Sequence, residues 1–434
     1  MKNRNRFNRM SVGPLVLVLA IIMSSLVGCA AADPIGPVVS AASLQSDKPR
    51  LPAPPLGEAH LPELIEGNTE FAFDLYHVLL DKEENLFYSP YSLSEALAMT
   101  YAEARGETEQ QMADALHYTL SQDQLHPAFN ALTSALISHE KDEGKGSLFL
   151  RIVNAIWTQQ GYSFLDPFLD TLAEQYGAGL RAVDFGQAEE ARQTINQWGN
   201  QETEGRIEEL LSPGAVGAET ALVLANAVAF KAEWMHPFVQ SNPGGAAFTL
   251  LDGEQVVVPF MEQSANLGYA ERAGVRAVEL PYAGGTLSMV ILAPDAGTFE
   301  SFARDLDAAE MNAILSDLTP EQVRLTMPKF ELNTDLELAD ALVGLGMVNA
   351  FADADFSGMD GSRELFIDQV YHSASVTVDE EGTEAAASSA VVVNRKGGPG
   401  LSQELTLDRP FVFVIRDLET EAILFLGHVV NPAG

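Results

Sequence analysis

Apolar residues recur with two different periods along the chain, and the change of period separates a helix-rich first part from a strand-rich second part. In NTEFAFDLYHVLLD, Phe71, Leu75 and Val78 share one face at helical spacing. From ETALVLANAVAFKAEW onwards, most segments are short runs of β-branched and large apolar residues. Because strands and helices do not alternate, the pattern predicts an α+β fold with mostly antiparallel sheets.

Local signals place several element boundaries. Asn68 or Thr69 is expected to cap the helix that carries Phe71, and SPYSLSEALAMTYAEA begins with a serine cap and a proline in the first turn. Two segments are dense enough in apolar residues to be buried strands, namely SLFLRIVNAIWTQ and ETALVLANAVAFKAEW. EQVRLTMPKFELNTD is predicted to be a single strand.

The N-terminal residues 1–29 are typical of a lipoprotein signal peptide. A basic start and a short apolar stretch lead to Leu26-Val27-Gly28-Cys29, which resembles a bacterial lipobox; the alternative is an ordinary signal peptide with a chance cysteine. Cys29 is the only cysteine, so we expect it to carry lipid and expect no intrachain disulfide. Residues 30–60 are rich in Pro, Ala and Ser and predict a tether, and residues 61–434 form the folded domain. The protein is expected to be exported, and either anchored to a membrane or secreted.

Charge and missing motifs exclude several classes of function. The net charge of −36 makes nucleic acid an unfavourable partner. The chain lacks the G-x-S-x-G, H-E-x-x-H and Walker patterns, and we expect neither an enzyme nor a cofactor. Asp353–Glu364 matches a calcium-loop pattern, but Asp360 stands where such loops carry an apolar residue. We therefore predict no metal site.

The segment from Ala385 to Val393, AAASSAVVV, has the composition of a strand but is flanked by glycines and followed by Asn394-Arg395-Lys396-Gly397. One interpretation is a flexible surface loop. That interpretation does not explain why three valines would be exposed beside a dibasic site that proteases can reach. A segment that becomes a strand only after cleavage explains both the valines and the dibasic site, because cleavage would free it to enter a sheet. Successive side chains of a strand point to opposite faces, so one face would carry the small residues Thr383, Ala385, Ala387 and Ser389.

EEGTEAAASSAVVV is similar to the hinge and reactive loop of inhibitory serpins. Four other segments agree in order along residues 61 to 434: NLFYSPYSLSEALAMTYAEARGET, LVLANAVAFKAEW, LTMPKFELN and the C-terminal RPFVFVIRD to LFLGHVVNP. The resemblance implies the serpin fold, with three mostly antiparallel sheets, eight or nine helices and an exposed reactive-centre loop. It assigns the hinge to Glu380, Glu381, Gly382, Thr383, Glu384, Ala385, Ala386 and Ala387.

The resemblance also implies roles for residues outside the loop. Ser89, Ser92, Asn226 and His372 match the polar cluster called the shutter, under the strands that must part. Trp234, Lys329 and Glu380 match the breach near the top of the same sheet. Family spacing places the reactive bond between Lys396 and Gly397, with Arg395 as the fallback.

The implied activity is suicide inhibition of a trypsin-like serine protease, which is trapped as a covalent acyl-enzyme when the cleaved loop inserts into the central sheet. The alternative is a non-inhibitory lipoprotein of serpin fold that binds or carries a ligand. We expect a monomer. We expect no heparin binding, because the segment PAFNALTSALISHE contains no Lys or Arg.

We predict that Cys29→Ala either releases the protein from membranes or leaves it as an unprocessed precursor, because the mutation removes the thiol that would be lipidated. Membrane fractionation and the mass of the mature N-terminus measure this. Mature Cys29→Ala protein that still sediments with membranes would contradict the lipoprotein interpretation.

Overall fold

A computed structural model describes residues 41–80, 84–139, 148–383 and 403–434. The helices of these residues are α1 (Leu61–Leu79), α2 (Pro90–Tyr101), α3 (Gly106–Ala115), α4 (Gln122–Ser138), α5 (Asp166–Thr171), α6 (Ala188–Glu202), α7 (Phe299–Asp305), α8 (Ala308–Asp317), α9 (Ala339–Gly344) and α10 (Ser357–Asp360). The last of them is a single turn of four residues. Across the described ranges, no helix is both long and apolar enough to cross a membrane.

The strands confirm the α+β class, since most of them follow the first six helices and pair mainly antiparallel. They are β1 (Ala42–Leu44), β2 (Leu86–Tyr88), β3 (Leu148–Gln159), β4 (Leu180–Val183), β5 (Leu222–Glu233), β6 (Val239–Thr249), β7 (Gln255–Arg272), β8 (Val275–Pro281), β9 (Leu287–Pro294), β10 (Thr319–Pro328), β11 (Phe330–Glu337), β12 (Gln369–Val378), β13 (Gly382–Thr383), β14 (Gln403–Thr406), β15 (Phe411–Asp417) and β16 (Ile423–Val429).

The described strands form two hydrogen-bonded networks. One has seven strands in the order β1-β4-β3-β5-β13-β12-β11. The other has nine strands, in the order β14-β10-β7-β8-β9-β15-β16-β2 with β6 attached to β7. Three sheets were expected; β7, with 18 residues, pairs with β6 and β10 along one part and with β8 along another. The long strand thus joins strands that would otherwise form separate sheets.

Helix α2 lies between the two sheets and is buried along all twelve residues. It contacts β3 and β5 on one side and β16 on the other. The predicted serine cap is present, since the Ser89 side chain accepts a hydrogen bond from the Ser92 amide at the start of the helix. The start of α2 is therefore held directly under the centre of the seven-stranded sheet.

Two predicted boundaries are wrong. Helix α1 begins at Leu61 with His60 before it, and Asn68 and Thr69 lie buried inside the helix instead of capping it. The segment predicted as one strand is two strands in different sheets, because β10 belongs to the nine-stranded network and β11 to the seven-stranded one. The change occurs at Lys329, next to Pro328, whose nitrogen cannot donate to a sheet ladder. A run of apolar and β-branched residues looks the same whether the strand stays in its sheet or leaves it.

The second half of the predicted tether lies against the domain. Strand β1 pairs with β4, and the amide of Leu51 donates to the Glu174 carbonyl over 2.8 Å. The Arg50 guanidinium donates to Asn130 Oδ1 over 2.9 Å. These contacts use backbone groups and single polar side chains, so they leave no periodic apolar pattern for a sequence analysis to detect.

Candidate functional site: hinge, seam and shutter

The first residues of the hinge are already part of the seven-stranded sheet. Strand β13 lies antiparallel between β5 and β12, with Thr383 opposite Ala232 on one side and Val378 on the other. Thr383 is fully buried, and its hydroxyl lies 2.9 Å from the Tyr282 hydroxyl. A Cβ atom on Gly382 would collide with the Ala232 carbonyl oxygen, so this position requires glycine.

The backbone at the base of the loop is held by the residues that follow β5. The Trp234 amide donates to the Glu381 carbonyl over 2.9 Å, and the indole Nε1 donates to the Asp379 carbonyl over 3.0 Å. The indole ring stacks on Tyr282 with the ring centres 4.6 Å apart. Lys329 and Glu380 form an ion pair whose side chains are partly buried, with 32% and 22% of their surface exposed. The structure thus brings the three predicted breach residues together.

Directly below β13, the sheet is closed. There β5 and β12 pair with each other in parallel, from Val223 opposite Gln369 to Ala229 opposite Ser375. We call this paired stretch the seam. A chain that continued downward from Thr383 would have to part the seam and would then run antiparallel to both strands.

The four predicted shutter residues meet at the seam. Asn226 Oδ1 bonds to His372 Nδ1 across it, and Asn226 Nδ2 donates to Ser92 Oγ. The Ser89 amide donates to His372 Nε2 over 3.2 Å, and the Ser89 hydroxyl donates to the Leu424 carbonyl over 2.7 Å. Burial lowers the pKa of His372 to about 3, so the imidazole is neutral at physiological pH.

Three further residues belong to this site and were not identified from the sequence. Tyr282 contacts both the hinge and Trp234, and no motif marks it. Asn154 and Glu95 extend the polar cluster beyond Asn226. Asn154 in a strand dense in apolar residues and Glu95 among small and apolar residues of α2 were the available signals, since a polar group in a buried segment needs a partner.

Several predicted residues lie outside the described ranges: Cys29, the hinge residues Glu384, Ala385, Ala386 and Ala387, and the reactive-bond residues Arg395, Lys396 and Gly397. Among the described residues, no group of three or more His, Cys, Asp or Glu side chains is arranged to hold a metal ion. In the segment that resembles a calcium loop, Asp355 and Asp360 accept hydrogen bonds from the hydroxyls of Ser357 and Ser362.

The chain belongs to the serpin family. Residues 66–432 match the family profile described as Serpin (serine protease inhibitor). An uncharacterized serpin-like protein of Thermococcus kodakarensis is 38% identical over 87% of this chain and 88% of its own length. The leukocyte elastase inhibitor of Sus scrofa is 38% identical over 85% of this chain and 100% of its own length.

Solved structures show the same fold. The thermophilic serpin tengpin in its native state superposes with a TM-score of 0.80 at 29% identity, covering 91% of this chain and all of tengpin. Uncleaved ovalbumin superposes with a TM-score of 0.75 at 26% identity, covering 85% of this chain and all of that chain. The serpin fold expected from the sequence is therefore confirmed.

The buried His372 predicts an acid-sensitive fold. A neutral histidine with a lowered folded-state pKa contributes stability above its ordinary pKa of 6.5, and loses that contribution as pH falls towards about 3. The free energy of unfolding should therefore decrease from pH 6 to pH 4, and His372→Gln should make this decrease shallower by about 1.4 kcal/mol per pH unit.

Urea unfolding at several pH values measures the slope. His126→Gln provides the comparison, because burial also lowers the pKa of His126, to about 4, and this residue lies away from the seam. An unchanged slope in His372→Gln would show that the histidine is not held neutral.

Proposed function

We propose that the chain inhibits trypsin-like serine proteases by a single, irreversible turnover. A protease cleaves the reactive loop after Lys396, forms an acyl-enzyme with the loop, and is displaced when the freed strand enters the seam. The observation that carries this proposal is β13, since Gly382 and Thr383 already occupy the top of the slot in the direction that insertion requires.

The register of β13 specifies how the inserted strand would align. Thr383 lies opposite Ala232 and Val378, so two residues further Ala385 would lie opposite Phe230 and Val376. Continuing the same register places Ser389 between Asn226 and His372, which face each other across the closed seam. Insertion would then replace the contact between those two side chains with contacts to the loop.

Side-chain size supports the same mechanism. The Thr383 side chain points towards Tyr282 in the interior, and Ala385, Ala387 and Ser389 would follow it on the same face. Each is small and uncharged, so entry would desolvate no charge and displace little of the core. The protein would hold a metastable fold until cleavage, and insertion would then release the stored free energy.

The basic pair indicates the class of protease. Relatives named leukocyte elastase inhibitors align over most of this chain, whereas this loop carries Arg395 and Lys396 at the bond that family spacing assigns. A long cationic side chain fits a primary pocket with an aspartate at its base. The proposal therefore differs from those relatives in target while keeping the family mechanism.

Export and lipidation at Cys29 are part of the proposal. The anchor would hold the inhibitor at a membrane surface on residues 30–40, with residues from Ala42 onwards packed against the domain. The acidic surface, with 61 Asp and Glu against 25 Lys and Arg, would favour encounter with cationic proteases.

We predict that trypsin forms an SDS-stable complex with the protein and releases a C-terminal fragment beginning at Gly397. Lys396→Leu should redirect inhibition towards proteases with apolar primary pockets, because it removes the charge that the aspartate pocket binds. Gel electrophoresis and fragment mass measure both. A fragment beginning at Lys396 would assign the bond to Arg395. Complete cleavage with no covalent complex would instead support a non-inhibitory carrier.

We also predict that Ala385→Arg converts the inhibitor into a substrate. The arginine would face the interior of the sheet, and burying an unpaired charge costs several kcal/mol, so insertion slows while deacylation does not. Ala386→Arg is the matched control, since it would lie on the outer face level with the partly exposed Ser375. The fraction of protease trapped per inhibitor cleaved measures the effect; equal trapping by both variants would contradict the register.

A further inference from the structure

Glu95 is a carboxylate buried under the seven-stranded sheet, with only 6% of its surface exposed. Its described hydrogen-bond partners are all neutral. Oε1 accepts from the hydroxyls of Thr133 and Tyr91, and Oε2 accepts from Asn154 Nδ2 over 2.9 Å. Burial raises the pKa of Glu95, although these partners and the nearby Arg50 oppose the shift. A buried carboxylate without a paired cation is costly, so its partners must compensate.

A continuous chain of hydrogen bonds runs from Glu95 to the start of α2. Asn154 in β3 bonds to Asn226 in β5, which bonds to His372 in β12, which accepts from the amide of Ser89. This hydrogen-bond chain therefore crosses the seam, and both of its ends lie at helix α2. These hydrogen bonds reach beyond the four shutter residues by one asparagine and one glutamate.

The groups at the two ends of the hydrogen-bond chain determine which atom donates in every bond within it. The Ser89 amide can only donate, so His372 Nε2 accepts and the neutral ring carries its proton on Nδ1. Nδ1 then donates to Asn226 Oδ1, and Asn226 Nδ2 donates to Asn154 Oδ1. This leaves Asn154 Nδ2 to donate to the Glu95 carboxylate, which can only accept when ionised.

Glu95 also lies at the end of the hydrogen-bond chain that borders a cavity. It lines a cavity of about 320 Å³ together with Asn154, Arg50 and Thr133. Asn154 is only partly buried, so without a strong acceptor its amide could turn towards the cavity. A carboxylate that is ionised accepts a hydrogen bond roughly twice as strong as a neutral acceptor does, and would hold the amide in place.

We propose that Glu95 is a positioning residue for opening of the seam. Its carboxylate orients Asn154, which orients Asn226 so that Oδ1 faces His372 and holds β5 against β12. This inference rests on the proposed function in one respect: opening of the seam is the step that Glu95 would control. The role of Glu95 concerns the closed state and does not depend on which protease is bound.

The test measures seam opening without a protease. A synthetic peptide of residues 383–393 (TEAAASSAVVV) is incubated with the full chain, and its rate of incorporation is followed by native gel and by the gain in thermal stability. Glu95→Leu removes the acceptor and should accelerate incorporation about tenfold. Glu95→Gln keeps an acceptor oxygen but loses the charge, so its incorporation rate should lie between those of the unmodified protein and Glu95→Leu.

Two controls separate positioning from general destabilisation. Glu103→Leu removes another buried glutamate, one that pairs with Arg105 and takes no part in the hydrogen-bond chain. This variant should leave the incorporation rate unchanged. In an Asn154→Ala background the link is already broken, so Glu95→Leu should add less than about twofold. An undiminished effect in that background, or equal rates for Glu95→Leu and Glu95→Gln, would overturn the proposal.

The unmodified protein offers a measurement that needs no variant. Nitrogen-15 NMR of the His372 ring should show a protonated Nδ1 and an unprotonated Nε2. The opposite tautomer would reverse the direction of donation along the hydrogen-bond chain. It would therefore exclude the role assigned to Glu95, even if Glu95→Leu does not fold. Because neither this measurement nor peptide incorporation involves a protease, failure of inhibition and failure of this inference would be distinguishable.

Discussion

Strands β5 and β12 run parallel and share hydrogen bonds along seven residue pairs, although β13 already separates their upper ends. If the seam parts and a strand enters, one parallel ladder is lost and two antiparallel ladders form. Antiparallel pairing is slightly more favourable per residue, and each buried backbone group finds a partner. On the mechanism we propose, insertion would therefore release free energy, and the hinge, the shutter and α2 lie around the seam that would open.

On the mechanism we propose, the polar groups at the seam would control its opening. His372 is held neutral by burial, so the seam is closed by hydrogen bonds between uncharged side chains. A buried polar network that is fully satisfied favours one arrangement over others, and it can be broken without leaving an unpaired charge. Glu95, to which we assign the orientation of this network, lies two hydrogen bonds away from the contact between Asn226 and His372.

The base of the loop is held through its backbone. Trp234 and Phe238 donate their amides to the carbonyl oxygens of Glu381 and Glu380, and the indole nitrogen donates to that of Asp379. These bonds do not depend on the side chains of the loop. The residues near Lys396, where we propose that a protease cleaves, could therefore differ among relatives while the hinge stays attached in the same way.

The sequence determined the features that depend on neighbouring residues. The serine cap of α2 and the buried strands β3 and β5 each leave a local pattern, and the family resemblance connected the distant shutter residues. The alternating small residues of the hinge remain a prediction, since residues after Thr383 lie outside the described ranges. The start of α1 at Leu61 was missed, although the buried residues Leu61 and Leu64 precede the expected cap at Asn68. Tertiary structure alone decided that the chain changes sheets at Lys329 and that residues from Ala42 onwards pack on the domain. It also decided that Glu95, Asn154 and His372 join one chain of hydrogen bonds, because residues far apart in sequence meet only when the sheets and α2 have packed.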